Sequence, residues 1–225
     1  MTIHPAFLAN AMHRLQEFFP GYFSGAKHNH YQDYGWPQDI TFDMLFSMYR
    51  RNGLARAAVN KIASRTWETL PQFWENNEPT ESPAEKEVQK HLKKIRAFQG
   101  LFDTSKRASV GGYAGAILRL ADGREFRDPV GTVPGGLEGL VEIVPAWRGQ
   151  LRVSKWVTDL KDPDYGKPAM FSFHESNLPE SNTGLHTRLR TFDVHPDRVL
   201  IWSEDGTVFA PSMLEAGYND LVDLE

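Results

Sequence analysis

The chain contains no cysteine, which excludes disulfides, thiolate metal sites and a cysteine nucleophile. No apolar run approaches the roughly 20 residues that a membrane-crossing helix needs. The first residues, MTIHPAFLANAMHRLQEF, are too interrupted by His and Arg to read as a secretion signal, so no membrane partner is expected. Positive charge is not in excess: the formal net charge is -4 and the pI is near 6.1. That balance argues against a surface given over wholly to polyanions, because nonspecific DNA affinity comes from neutralising phosphates. Motifs of reaction chemistry are also missing. There is no Gly-x-Ser-x-Gly elbow for a hydrolase. The glycine clusters at Gly111-Gly112 and Gly131 to Gly136 lack the following Lys-Ser/Thr pair of a phosphate-cradling loop.

What is present suffices for a core. With 225 residues, 40% hydrophobic and 12% aromatic, the chain can build one large domain or two small ones. Phe7, Leu8, Met12, Leu15 and Phe19 fall at near-helical spacing behind Pro5 and predict a short amphipathic helix. Residues 20–39 show neither period and read as an extended arm, so residues 1–40 form an N-terminal helix and arm. Residues 41–100 read as a helical region. Thr41 caps FDMLFSMYRR, and Asn52-Gly53 then separates it from LARAAVNKIASRT. In the latter, Leu54, Ala55, Ala58, Val59, Ile62 and Ala63 make an apolar stripe opposite Arg56, Asn60, Lys61 and Arg65. WETLPQFWE alternates like a strand, which Pro71 confines to a sheet edge or a bulge. Ser82-Pro83-Ala84-Glu85 is a capping box that predicts a helix to about Phe98.

Residues 101–210 read as antiparallel and β-rich. After a short helix, LFDTSKRASV, come YAGAILRL, GLVEIVPAW, LRVSKWVTD, PAMFSFHES, HTRLRTF and RVLIW. The turns between them include Asp122-Gly123, Arg148-Gly149, DPDYGKP and Asp205-Gly206. Over residues 211–225, Ser212 and Glu215 suggest another capping box opening a helix at MLEAGYNDLVDLE, with no stop signal before Glu225. The fold class is α+β.

Several residue groups invite chemistry. His28, His30 and Asp33 could hold a divalent ion but have no second ligand cluster. Asp159, Asp162 and Asp164 offer hard oxygen ligands at a spacing wrong for a calcium loop and right for a turn. No metal, cofactor or catalytic residue is assigned. His186, Arg188 and Arg190 would share one strand face; Arg188 and Arg190 are candidates for contact with DNA or a neighbouring subunit. Tyr22, Tyr31, Tyr34 and Trp36 in the arm are candidate intersubunit or capsid contacts, because aromatics make efficient interface anchors.

Three segments together carry a resemblance. MYRRNGLARAAVNKIASRTWETLPQFWE, KDPDYGKPAMFSF and VHPDRVLIW resemble, in that order, an early helix-to-strand segment, a strand-turn-strand and a strand entry of tailed-bacteriophage portal proteins. Asp197 stands where that family commonly has Ser. The resemblance implies a non-enzymatic virion subunit of a homo-oligomeric ring, usually of twelve chains, at the portal vertex of the capsid. Such a ring assembles in the bacterial host cytoplasm and passes double-stranded DNA during packaging and ejection. Implied partners are other copies of the chain and the major capsid protein. Terminase and the head-tail adaptor would dock on stem and clip parts that family members carry beyond the length seen here. The chain would then be the N-terminal, wing-like region ending at the start of a long helix. Two other readings stay open. His174-Glu175-Ser176 matches once the paired His-x-Ser/Thr motif of two-histidine cyclic-nucleotide phosphoesterases related to phage anti-defence proteins, and the second motif is absent. Another virion structural or scaffold protein with a similar sheet is the third.

Overall fold

Local signals fix the helices. The computed structural model describes residues 31, 34–75, 82–175 and 190–223. It divides into two units, Met1–Asp39 and Ile40–Glu225. In the first, the described residues Tyr31, Tyr34 and Trp36 form an aromatic cluster: the Tyr34 and Trp36 rings stack at 4.9 Å, and Tyr31 meets Trp36 edge-on at 6.2 Å.

In the second unit, helix α1 (Phe42–Arg51) begins at Thr41, whose hydroxyl accepts from the Met44 N–H at 3.4 Å. Asp43 in its first turn and Arg50 and Arg51 in its last suit the helix dipole. Asn52 then serves two helices. Its N–H donates to Met48 O at the end of α1, and its Oδ1 accepts from the Leu54 and Ala55 N–H groups at 3.0 and 3.1 Å, starting α2 (Gly53–Thr66). Helix α3 (Pro83–Lys94) carries the predicted capping box: Ser82 Oγ accepts from Glu85 N at 3.2 Å, and Glu85 Oε2 accepts from Ser82 N at 3.0 Å. The chain then breaks at Arg96, in the left-handed conformation with φ 54°, and α4 (Ala97–Gly111) follows. The predicted short helix from Leu101 is therefore the latter part of a longer one.

The strands are β1 (Tyr113–Leu120), β2 (Leu140–Trp147), β3 (Leu151–Trp156), β4 (Pro168–His174), β5 (Thr191–Val194) and β6 (Val199–Ser203). They form two antiparallel sheets, ordered β2-β1-β6 and β3-β4-β5. Tyr113, Ile117 and Val199 of the first sheet share one buried cluster with Leu151, Phe171, Phe173 and Val194 of the second, so the sheets pack face to face. Gly115 permits that approach, since a Cβ there would lie 2.1 Å from Leu151 Cδ2. The Tyr113 hydroxyl donates to Leu151 O at 2.8 Å across the same seam, and burial raises the phenol's pKa. Ala114 and Ala116, on the opposite face of β1, are also fully buried, and α4 packs against β1 and β2. A second cluster joins Leu45 and Met48 of α1, Ala55 and Val59 of α2, Val110 of α4, and Leu214 and Tyr218. The fold is α+β, as the pattern of elements predicts.

Three expectations are corrected. The edge strand predicted at WETLPQFWE is irregular backbone. Pro71 has no N–H to give a ladder, and the aromatics that mimic alternation pack on neighbouring elements instead: Trp67 against Phe102 and Trp202, and Phe73 against Phe98. The long C-terminal helix predicted from Met213 is not seen. Residues 213–217 are a turn, and the described helix, α5, covers only Tyr218–Asp223. Ser212 and Glu215 make capping contacts, Ser212 Oγ accepting from Leu214 N at 3.1 Å and Glu215 Oε2 from Ser212 N at 3.3 Å, but only a turn follows them; Ser212 Oγ also donates to Val110 O at 2.7 Å, tying residues 210–213 to α4. Lastly, the apolar stripe of α2 splits. Ala55, Val59 and Ala63 are buried, while Leu54, Ala58 and Ile62 face solvent, because packing covers only one of two adjacent rows.

Candidate interaction surfaces

Most of the predicted chemical groups serve to hold the chain. The aspartates of DLKDPDYGKP build a turn: Asp159 Oδ1 accepts from Lys161 N at 3.0 Å, Asp162 Oδ1 accepts from Asp164 N at 2.9 Å, and Asp164 pairs with Lys167 at 2.6 Å. That carboxylate raises the Lys167 pKa by favouring the charged amine. No group of three or more metal-binding side chains exists among the described residues; His28, His30 and Asp33 lie outside them. Gly112 is the C-cap of α4, and Gly135 and Gly136 introduce a single 3-10 turn at Gly136–Gly139. Neither cluster opens an α-helix.

His174, at the end of β4, exchanges a hydrogen bond with Ser172 Oγ on the same strand face at 2.9 Å. Ser176 lies outside the described residues. The DNA or subunit candidate Arg190 is committed to Glu175: Nε to Oε2 at 3.2 Å and Nη2 to Oε1 at 3.0 Å, with the Arg190 N–H also on Oε2 at 3.1 Å. This fork holds the Glu175 carboxyl below the usual range, first through the side-chain hydrogen bonds and then through the backbone one. Arg188 and Tyr22 fall outside the described residues. Tyr31 and Tyr34 are 47% and 64% exposed, so they present ring surface outward.

Sequence reasoning passed over a buried ion pair. Arg198 is 1% exposed; its Nη2 and Nη1 donate to Asp122 at 2.5 and 3.3 Å, and its Nε donates to Asp128 O at 3.0 Å. Asp122 also accepts from Arg124 N and Gly131 N. Arg198 thus ties the loop after β1 to the turn before β6. The hydrogen bonds from Arg198 do most to lower the Asp122 pKa, burial opposes them, and the two backbone donors add to the lowering. Asp197, beside it, points its carboxylate toward Val130 N at 3.4 Å. The signal available in the sequence was the Asp122-Gly123 turn, which gives no hint of a partner 76 residues away.

Among the described residues, two of the exposed apolar surfaces bear on contact with a partner. One is the outer row of α2, with Leu54 61% and Ile62 51% exposed. The other is a groove of about 370 Å³ walled by Trp156 and Phe209, whose rings stack 5.4 Å apart, and floored by Phe171, Val199, Ile201 and Val208. Both are exposed apolar surfaces of the kind that contact another macromolecule, and the groove's lining brings together no pair of acid and base side chains.

The described residues include no helix long and apolar enough to cross a membrane. A family model described as phage portal protein matches residues 43–222. No curated protein matches the chain.

Proposed function

From the premise that this chain belongs to the phage portal protein family, a family of phage structural proteins, we propose that it is a subunit of the ring at the capsid's portal vertex. DNA is packaged and ejected through that ring. The observation that carries the reading is the extent of the family match: residues 43–222 take in every helix from α1 to α4 and both sheets, so the whole folded unit is what resembles a portal.

The physical character of the unit supports the same reading. Among the described residues, the charged side chains of the predicted sites are held in a turn and an ion pair, and apolar surface is exposed on α2 and in the groove lined by Trp156 and Phe209. A ring subunit needs such complementary surfaces rather than a pocket of convergent acids and bases. We assign it no catalysis; the ring serves as conduit and platform, and energy for packaging comes from a separate motor. In this reading Tyr22, Tyr31, Tyr34 and Trp36 are aromatic anchors toward a neighbour or the major capsid protein. Arg190 meets DNA or another subunit only by sharing its guanidinium with the Glu175 carboxylate that already neutralises it.

Mass photometry and negative-stain microscopy test this directly. Purified protein should form rings; twelve copies of a 25.6-kDa chain make a particle of about 300 kDa. Protein that stays monomeric at all concentrations, with and without capsid protein, would refute the ring.

A further inference from the structure

The charges of the second unit are segregated along the chain. From Met44 to Trp67 there are five cations, Arg50, Arg51, Arg56, Lys61 and Arg65, and no acidic residue. Arg65 is paired with Glu68. Arg51, Arg56 and Lys61 are exposed and enter no ion pair among the described residues. On α2, Lys61 and Arg65 lie beside the outward row of Leu54 and Ala58, by the helical period of 3.6. This face is therefore apolar at its N-terminal end, at Leu54 and Ala58, and cationic at its C-terminal end, at Lys61 and Arg65.

The groove walled by Trp156 and Phe209 has the opposite character. Two turns form its rim: residues 157–166, which reach it through Gly166, and residues 203–207, which reach it through Gly206 and Thr207. Together they carry five acids, Asp159, Asp162, Asp164, Glu204 and Asp205, against Lys161 and the adjoining Lys167, which lines the groove and is paired with Asp164. All five acids are exposed. Beneath them the groove is apolar, and Phe209 itself is 73% exposed.

We propose that neighbouring copies of this chain join through these two surfaces, the outer face of α2 of one copy seating in the Trp156–Phe209 groove of the next. Leu54 and Ala58 supply the apolar ridge that the groove desolvates. Lys61 and, one turn further, Arg65 meet the acidic rim, which steers the encounter and fixes the register. Because the two surfaces are unlike, the contact is heterologous and each subunit keeps one of each free for a further neighbour, the arrangement from which a closed ring is built. The proposal rests on the ring reading above and adds the subunit seam.

Charge reversal tests it. Lys61→Glu defines one variant and Glu204→Lys a second; both residues are exposed and enter no ion pair among the described residues, so circular dichroism and melting should match the wild type. Each variant alone should need a roughly tenfold or higher concentration to assemble. Mixed one to one, they should recover the oligomer in mass photometry, since the reversed α2 of one then fits the reversed rim of the other. If the wild type forms rings and neither variant weakens them, or the mixture does not recover, this seam is wrong and the ring stands. If the wild type never assembles, the ring reading fails and the seam with it.

Discussion

Gly112→Ala is the substitution for which the structure gives the firmest magnitude. Gly112 ends α4 and hands the chain to β1 with φ 84° and ψ -45°, a conformation that L residues adopt only under strain of about 1–3 kcal/mol. A Cβ at this position would sit 2.2 Å from Ala210 O and 3.2 Å from Pro211 C, both backbone atoms. Relief requires moving the 210–213 strap. That strap is tied to the last turn of α4 by Ser212 Oγ to Val110 O at 2.7 Å and by Met213 N to Ser109 O at 3.1 Å. Losing one or two such bonds costs about 1 kcal/mol each, so the sum is about 2–5 kcal/mol. For a domain of this size that lowers Tm by roughly 10 °C. Gly123→Ala is the control: φ is +70° there, but a Cβ meets nothing within 4 Å, so only the left-handed conformation is charged, about 1 kcal/mol. Urea denaturation followed by tryptophan fluorescence measures both. Equal costs at the two positions would show that backbone crowding at Gly112 is not what anchors the strap.

Two further outcomes follow from the seams of the fold. Gly115→Ala puts a methyl against Leu151 Cδ2 in a seam where Leu151 is fully buried, and should cost about 1–3 kcal/mol by overpacking; adding Leu151→Ala should cost clearly less than the sum of the two single changes in a double-mutant cycle, and additivity would contradict the contact. Asp122 predicts a pH dependence: because Arg198 lowers its pKa in the folded state, its contribution is complete above the unfolded value of about 4 and is lost as pH falls through the lower folded value. The urea midpoint of the wild type should therefore drop between about pH 5 and pH 3 more steeply than that of Asp122→Asn, which starts lower; parallel curves would remove the ion pair from the account.

Local chemistry was legible where one residue's side chain decides its own neighbourhood. Thr41, Asn52 and Ser82 announced helix starts because capping needs only atoms two or three positions away. YAGAILRL matched β1 residue for residue, since the flanking Gly112 and Asp122-Gly123 punctuate it on both sides. Where two locally sensible readings competed, packing chose. WETLPQFWE has the alternation of a strand, yet its rings found partners on α4 and β6 and its backbone stayed irregular. Ser212 and Glu215 offered a cap and make its contacts, yet a turn rather than a long helix follows, and Ser212 also reaches Val110, more than a hundred residues back.

The sequence by itself determined the α+β class, the helix caps, most strands and, through three ordered segments, the family, because each depends on residues near one another in the chain. Only the tertiary structure decided which of two apolar rows on α2 is buried, that Arg198 is spent on Asp122, and that Trp156 and Phe209 wall a common groove. Those facts depend on which distant segments come to share space, and side-chain periodicity carries no record of its partner.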